Sequence, residues 1–215
     1  MIYKKIAGFL KAPVSVKKNK LRRLYYHLIG MIYYRRLFKR FGDGSLISSP
    51  LNIASPENIC IGKNVQIGHG ARLEALTGWH GGQQFSPELE IQDDVDIGQN
   101  ATIGCANKVV IGRNTVISFD VFITDNDHAY EKIGVPVMLQ PLIVKKTIIG
   151  ENCFIASGVK ILAGTVLGKQ CIVGSNSVVR GEFPDYCVIV GSPARVVKRY
   201  SAQSGCWERV PPIPR

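Results

Sequence analysis

Residues 149–178 read IGENCF IASGVK ILAGTV LGKQCI VGSNSV, five blocks of six residues in unbroken succession. Each block opens on a branched aliphatic side chain: Ile149, Ile155, Ile161, Leu167 and Val173. Its fourth place holds Asn152, Gly158, Gly164, Gln170 or Asn176, and its fifth Cys153, Val159, Thr165, Cys171 or Ser177. Working outward, the same spacing is kept by Ile61, Ile67, Ile91, Ile97, Ile111 and Ile117, and the position after the aliphatic is Gly in seven of the eleven units. A helix repeats about every 3.6 residues and a sheet strand about every 2. A period of six fits a short strand followed by a turn, three of which close one triangular coil of roughly eighteen residues. The aliphatic side chain then points inward and stacks on its counterpart in the next coil. The fifth place must be small for the corner to close. The fourth takes a left-handed turn, which Asn, Asp and Gly adopt at least cost, and Gln170 is the exception there. An ordinary all-β sandwich would not keep these register classes aligned over eleven units. The expected fold is mainly β, a three-sided solenoid over residues 45–190.

The period breaks in three places. Residues 73–90 (LEALTGWHGGQQFSPELE) leave the coil, the spacing from Ile103 to Ile111 is eight, and residues 124–147 (TDNDHAYEKIGVPVMLQPLIVKKT) form a second excursion. Loops near 74–90 and 124–147 are where binding and catalysis are expected, because a rigid scaffold carries its chemistry on its loops.

Charge divides the chain. Lys and Arg outnumber Asp and Glu by 27 to 16, a net +11, yet twelve of those cations precede Asp43 with no carboxylate among them. Residues 1–44 therefore form a basic, aromatic-rich helical leader. Its uncharged stretch, residues 24–34, is eleven residues long, against about 20 needed to span a bilayer. Lys11 interrupts the apolar residues 6–10, which argues against a cleavable signal. Residues 1–41 suit peripheral contact with an anionic membrane surface; packing of the helix on the body or on a neighbouring subunit is the alternative. No nucleic-acid-binding module accompanies the charge. Residues 191–215 read as a basic C-terminal segment and tail, anchored by Trp207. The six cysteines form no CxxC pair, so neither a disulfide framework nor a structural zinc site is expected, and the compartment expected is a reducing cytoplasm. Cys153 and Cys171 read as compact core residues.

Two further stretches carry a resemblance: FITDNDHAY (122–130) and IVGSPARVVKRY (189–200). With the repeats, residues 46–200 resemble the hexapeptide-repeat acyltransferases. The closer likeness is to the sugar O-acetyltransferase branch, which includes galactoside and maltose acetyltransferases and those of O-antigen, capsule and colanic acid synthesis. The resemblance implies a left-handed parallel β-helix, although crossovers are normally right-handed. It also implies a homotrimer with clefts between subunits, acetyl-CoA as co-substrate and no metal. The activity implied is acetyl transfer to a sugar hydroxyl during surface polysaccharide or lipopolysaccharide synthesis, in the cytoplasm or at the inner face of the membrane.

The same resemblance places the catalytic base at His128. The chemistry agrees: a hydroxyl attacks a thioester well only as its proton is removed, and imidazole, with an ordinary pKa of about 6.5, accepts that proton near neutrality. A carboxylate on the other ring nitrogen would set the tautomer, and Asp125 and Asp127 are the local candidates. Asn100 falls on the acceptor-binding asparagine, though its register position already has a turn role. Phe154 stands where the family often has Trp, which bears on acceptor identity. Ser157 and Ser175 match positions along the pantetheine arm. Arg195 and Lys198 match the basic tail that meets the CoA phosphates, and Arg180 stands in for a family lysine. Trp79 and His80, in the first excursion, fit substrate contact or packing equally. The competing functions are N-acetyl transfer to an amino sugar or serine on the same fold, and a non-catalytic or metal-binding β-helix. Against a zinc hydratase stands the scarcity of histidines, which are His27, His69, His80 and His128.

Overall fold

The computed structural model describes residues 13–211. The sequence readings at Lys4, Lys5, Lys11 and the apolar stretch 6–10 lie outside the described residues. Within them the chain is mainly β, preceded by one long helix, Val14–Ile29.

Successive strands are dealt in turn to three parallel sheets. One circuit, Lys108–Ile111 in the first sheet, Val116–Ile117 in the second and Phe122–Thr124 in the third, shows the pattern. In the first sheet Phe41, Ile61, Ile91, Ile111, Ile149, Leu167 and Phe183 are stacked in register. Ile47, Ile67, Ile97, Ile117, Ile155, Val173 and Ile189 do the same in the second. The third stacks Ile53, Leu73, Ile103, Ile123, Ile161 and Val179. The eleven aliphatics that set the period are at most 1% exposed, and each such burial contributes roughly 1.5–3 kcal/mol.

The other register places behave as their chemistry requires. All eleven fourth-place residues have positive φ, Gln170 among them at 50°. Every fifth-place residue is buried, and the hydroxyls there are bonded: Thr165 Oγ1 donates to the Leu162 carbonyl at 2.6 Å and Ser177 Oγ to that of Gly174 at 2.7 Å. The glycine after the aliphatic has a steric cause. A Cβ on Gly98 would stand 2.6 Å from the Ser118 carbonyl carbon in the next circuit, so the coils close to strand spacing only without it.

The stack starts earlier than the repeats suggest. Phe41, Ile47 and Ile53 already keep the six-residue spacing, and Arg40–Phe41 pairs with the strand Ile59–Ile61, inside the stretch read as leader. Tyr34, Phe38 and Phe41 are buried and pack ring on ring at 5.5 Å, closing the N-terminal end of the core. Gly30 lets the chain cross that end closely, since a Cβ there would be 3.0 Å from the Phe41 ring. The preceding helix, Val14–Ile29, buries no residue. Leu21, Leu24, Tyr25 and Leu28 remain exposed among its cations. No helix among the described residues is long and apolar enough to cross a membrane.

At the other end the chain reverses. Ala194–Ser201 and Cys206–Arg209 add two antiparallel strands to the second sheet, so the stretch read as a tail is ordered pairing as far as Arg209. Trp207 pairs opposite Tyr200.

Candidate active site

Three corners separate the three sheets. The first lies between the first and second sheets, the second between the second and third, and the third between the third and first. Both excursions, and the eight-residue spacing from Ile103 to Ile111, interrupt the passage from third sheet to first in consecutive circuits. All three irregularities therefore stack on the third corner.

His128 stands there, exposed, at the end of the strand Asn126–His128. That strand pairs antiparallel with Leu142–Val144, the returning arm of the same excursion, with His128 opposite Leu142. Between the arms Gln140 is buried. Its amide donates to the carbonyls of Val135 (2.9 Å) and Lys132 (3.2 Å) and accepts from the Lys132 N–H at 3.1 Å. The first excursion forms its own small hairpin, Gly78–Trp79 with Gln83–Gln84, and is clasped to the second. Gln83 Nε2 donates to the Leu142 carbonyl and its Oε1 accepts from the Leu142 N–H, both at 2.9 Å. Trp79 Nε1 donates to the Gln140 carbonyl at 3.2 Å. This brings the Trp79 ring edge-on to His128, centroids 5.1 Å apart, and equally close to His80. Gly78, Trp79, His80 and Gln84 line an open cavity of about 340 Å³.

The two aspartates have other partners. Asp125 is fully buried, and its carboxylate accepts from the backbone N–H groups of Ala106 (2.8 Å) and Asn107 (2.7 Å) and from Asn126 Nδ2 (3.1 Å). It holds the eight-residue turn of the preceding circuit. Burial, and then the neighbouring Asp125, push the Cys105 thiol well above the ordinary thiol range. Asp127 pairs with Arg180 at 2.8 Å, both partly exposed. Thus two predicted site residues, one assigned to the imidazole and one to the cofactor, bind each other. Neither aspartate is hydrogen-bonded to His128; the bonds they make go to Ala106, Asn107, Asn126 and Arg180.

The remaining predicted residues lie elsewhere. Asn100 is on the second corner, left-handed at φ 57°, and donates to Asp120 at 3.0 Å in the corner ladder. Ser157 and Ser175 stack on the same corner with their hydroxyls 3.4 Å apart. Phe154 projects from the second sheet just before that corner, 45% exposed between Val116 and Ile172. Arg195 and Lys198 help to line a cavity of about 810 Å³ at the C-terminal end, with Arg199, Arg209, Glu182 and Phe183. Four cations there face one carboxylate. Within one chain, then, the His128 group and the Asn100–Ser157–Ser175 group occupy opposite edges of the third sheet. Among the described residues no group of three or more His, Cys, Asp or Glu converges as a metal site.

Gln83 and Gln140 had no signal in the sequence. They are polar residues in polar loops, and their partners are fixed only when the two excursions meet.

Residues 146–181 match the family described as bacterial transferase hexapeptide (six repeats). The chain is 32% identical over 192 residues to an Escherichia coli protein provisionally named as a lipopolysaccharide biosynthesis O-acetyl transferase, WbbJ; the match covers 86% of this chain and 93% of that one. A Mycobacterium tuberculosis protein named as a probable acetyltransferase is 36% identical over 110 residues, 51% of this chain and 37% of its own. Among solved structures, AntD, an N-acyltransferase from Bacillus cereus in complex with dTDP and 3-hydroxybutyryl-CoA, superposes with a TM-score of 0.65 at 20% identity, over 79% of this chain and 87% of that chain.

Proposed function

Because this chain belongs to the bacterial hexapeptide-repeat transferases, we propose that it transfers the acetyl group of acetyl-CoA to a sugar hydroxyl in lipopolysaccharide or another surface polysaccharide. The three stacked sheets are read accordingly as a left-handed parallel β-helix. The name of the Escherichia coli relative, matched over 93% of its length, supports the substrate class.

One observation carries the mechanism. An exposed imidazole, His128, ends a strand of the second hairpin at the corner where every break in the repeat stacks, with Trp79 between it and the exposed His80. His128 takes the proton of the acceptor hydroxyl as that oxygen attacks the thioester carbonyl. The C–S bond then breaks, and the imidazolium returns the proton to the departing thiolate, leaving an acetyl ester and free CoA. With both aspartates engaged elsewhere, His128 is positioned by its strand pairing and by Trp79. Asp127 and Arg180 brace the hairpin against the last complete circuit.

The cationic cavity at the C-terminal end suits the CoA phosphates, with Arg195 and Lys198 as ligands. Ser157 and Ser175 mark the groove for the pantetheine arm, and Asn100 and Phe154 border the acceptor. Asn100, Ser157 and Ser175 lie on the edge of the third sheet opposite His128. Three chains packed with that sheet toward a common axis would set the third corner of one against the second corner of the next. A homotrimer with shared sites follows.

Exposed Leu24, Tyr25 and Leu28 among the helix's cations support a location on the cytoplasmic face of an anionic membrane. Residues 1–29 are the segment to remove in testing it, since Tyr34, Phe38 and Phe41 belong to the core. Loss of co-sedimentation with anionic vesicles is expected, and unchanged co-sedimentation would end this assignment.

The deciding experiment is transfer from acetyl-CoA to a panel of soluble and lipid-linked glycans and amino sugars, read by mass spectrometry. His128→Ala is expected to lower kcat at least 10³-fold with the thermal midpoint unchanged, in line with the loss of a general base. Acetylation of amines alone, or wild-type turnover without His128, would overturn the proposal.

A further inference from the structure

The first corner carries an anomaly that acetyl transfer does not use. Its fourth places run Gly44, Asn64, Asp94, Asn114, Asn152, Gln170 and Tyr186, and all seven have positive φ. Five are residues that adopt this conformation readily. The last two, Gln170 (φ 50°) and Tyr186 (φ 59°), are not. Both keep the ladder's backbone bond, from Gln170 N–H to the Glu151 carbonyl and from Tyr186 N–H to that of Lys169, each 2.8 Å. The turn itself would therefore be served better by Asn or Gly, and the strain is retained for the side chains.

Those side chains border the same cavity. Gln170, Tyr186, Tyr200, Ala202 and Trp207 line one cavity of about 500 Å³, within the roughly 300–1,000 Å³ of small-ligand sites. Tyr200 lies between the other two rings, 6.2 Å from Tyr186 and 5.9 Å from Trp207. If these rings served only to pin the C-terminal hairpin, packing would cover them; instead Tyr186 is 41% and Tyr200 43% exposed.

The lining contains no charged side chain, unlike the cavity of Arg195 and Lys198 with its four cations. A phosphorylated ligand belongs to the latter. Aromatic faces beside phenol hydroxyls, an indole N–H and a carboxamide suit a ring that is apolar on its faces and polar around its rim. We propose that Gln170, Tyr186, Tyr200 and Trp207 form a saccharide-binding subsite for an uncharged stretch of glycan, on a corner carrying neither His128 nor Asn100. The pyranose stacks on an exposed tyrosine face. The Trp207 ring, set at 67° to that of Tyr200, forms a side wall, and Gln170 and the tyrosine hydroxyls bond the sugar's rim. That the bound chain is the acceptor's own rests on the function proposed above; the subsite does not.

The test is binding of the fluorescently labelled full chain to an array of bacterial oligosaccharides and polysaccharides, neutral and acidic. The intact protein is expected to bind neutral glycans, and His128→Ala to bind equally. Tyr200→Ala and Gln170→Gly should each weaken binding about tenfold. Gln170→Gly is the sharper variant, because it relieves a left-handed backbone and should raise the thermal midpoint while binding falls. No glycan bound, or Gln170→Gly binding as the intact protein does, would overturn the assignment. The two proposals fail separately: array binding without transfer to any acceptor removes the acetyltransferase reading alone, and transfer without array binding removes this subsite alone.

Discussion

Asp125 and His128 lie three residues apart and are set to opposite tasks. Asp125 is buried with its carboxylate oxygens on two backbone N–H groups, so Asp125→Ala strands both donors. The expected cost is about 2–3 kcal/mol, a fall in thermal midpoint of roughly 4–10 °C by calorimetry. His128→Ala should leave that midpoint in place. Their shared DxxH stretch marked both as candidates, and burial separates the structural carboxylate from the exposed imidazole proposed as the base. The cysteines offer a second check at this scale. Cys206 is exposed and Cys105 buried, with the Cys105 thiol pushed up by burial and by Asp125. Less thiolate and no access both slow alkylation. At pH 8 iodoacetamide should modify Cys206 first and Cys105 only after unfolding, as peptide mapping would show; early loss of Cys105 would contradict the packing around it.

Among elements, the clasp between the two excursions is the feature the repeats could not foretell. Gln83→Ala removes both bonds to the Leu142 backbone. The coil beneath is untouched, so the thermal midpoint should barely move. Hydrogen exchange around residues 139–145 should quicken and kcat fall roughly tenfold, since the proposed base loses its alignment. Unchanged exchange would mean the hairpin holds itself. The repeated elements, by contrast, were legible almost residue by residue: aliphatic in, glycine where the next coil presses, a left-handed fourth place, a small fifth. The exceptions have plain causes. Phe41 was missed as the first rung because an aromatic fills a place where aliphatics set the pattern. The closing hairpin, Ala194–Ser201 with Cys206–Arg209, follows no six-residue rule and alternates too irregularly to announce itself.

For the molecule as a whole, the proposed site needs a second copy, and assembly is open to measurement. Native mass spectrometry should give three times the 23.6 kDa chain. Phe122 projects outward from the third sheet, paired with Thr102 and Lys160. Phe122→Arg should yield monomers that stay folded, since the inward ladder is unaltered, yet lack activity although His128 is intact. An active monomer would show that one chain suffices. A six-residue period is a local property: it sets backbone, corner chemistry and core from neighbours close along the chain, so the order of residues was enough to specify the stacked sheets. Which carboxylate is buried and which is ion-paired, how Gln83 reaches Leu142, and that Gln170 and Trp207 line one cavity depend on packing between residues far apart in the chain. Such contacts exist only once the coils are stacked, so no periodicity could announce them.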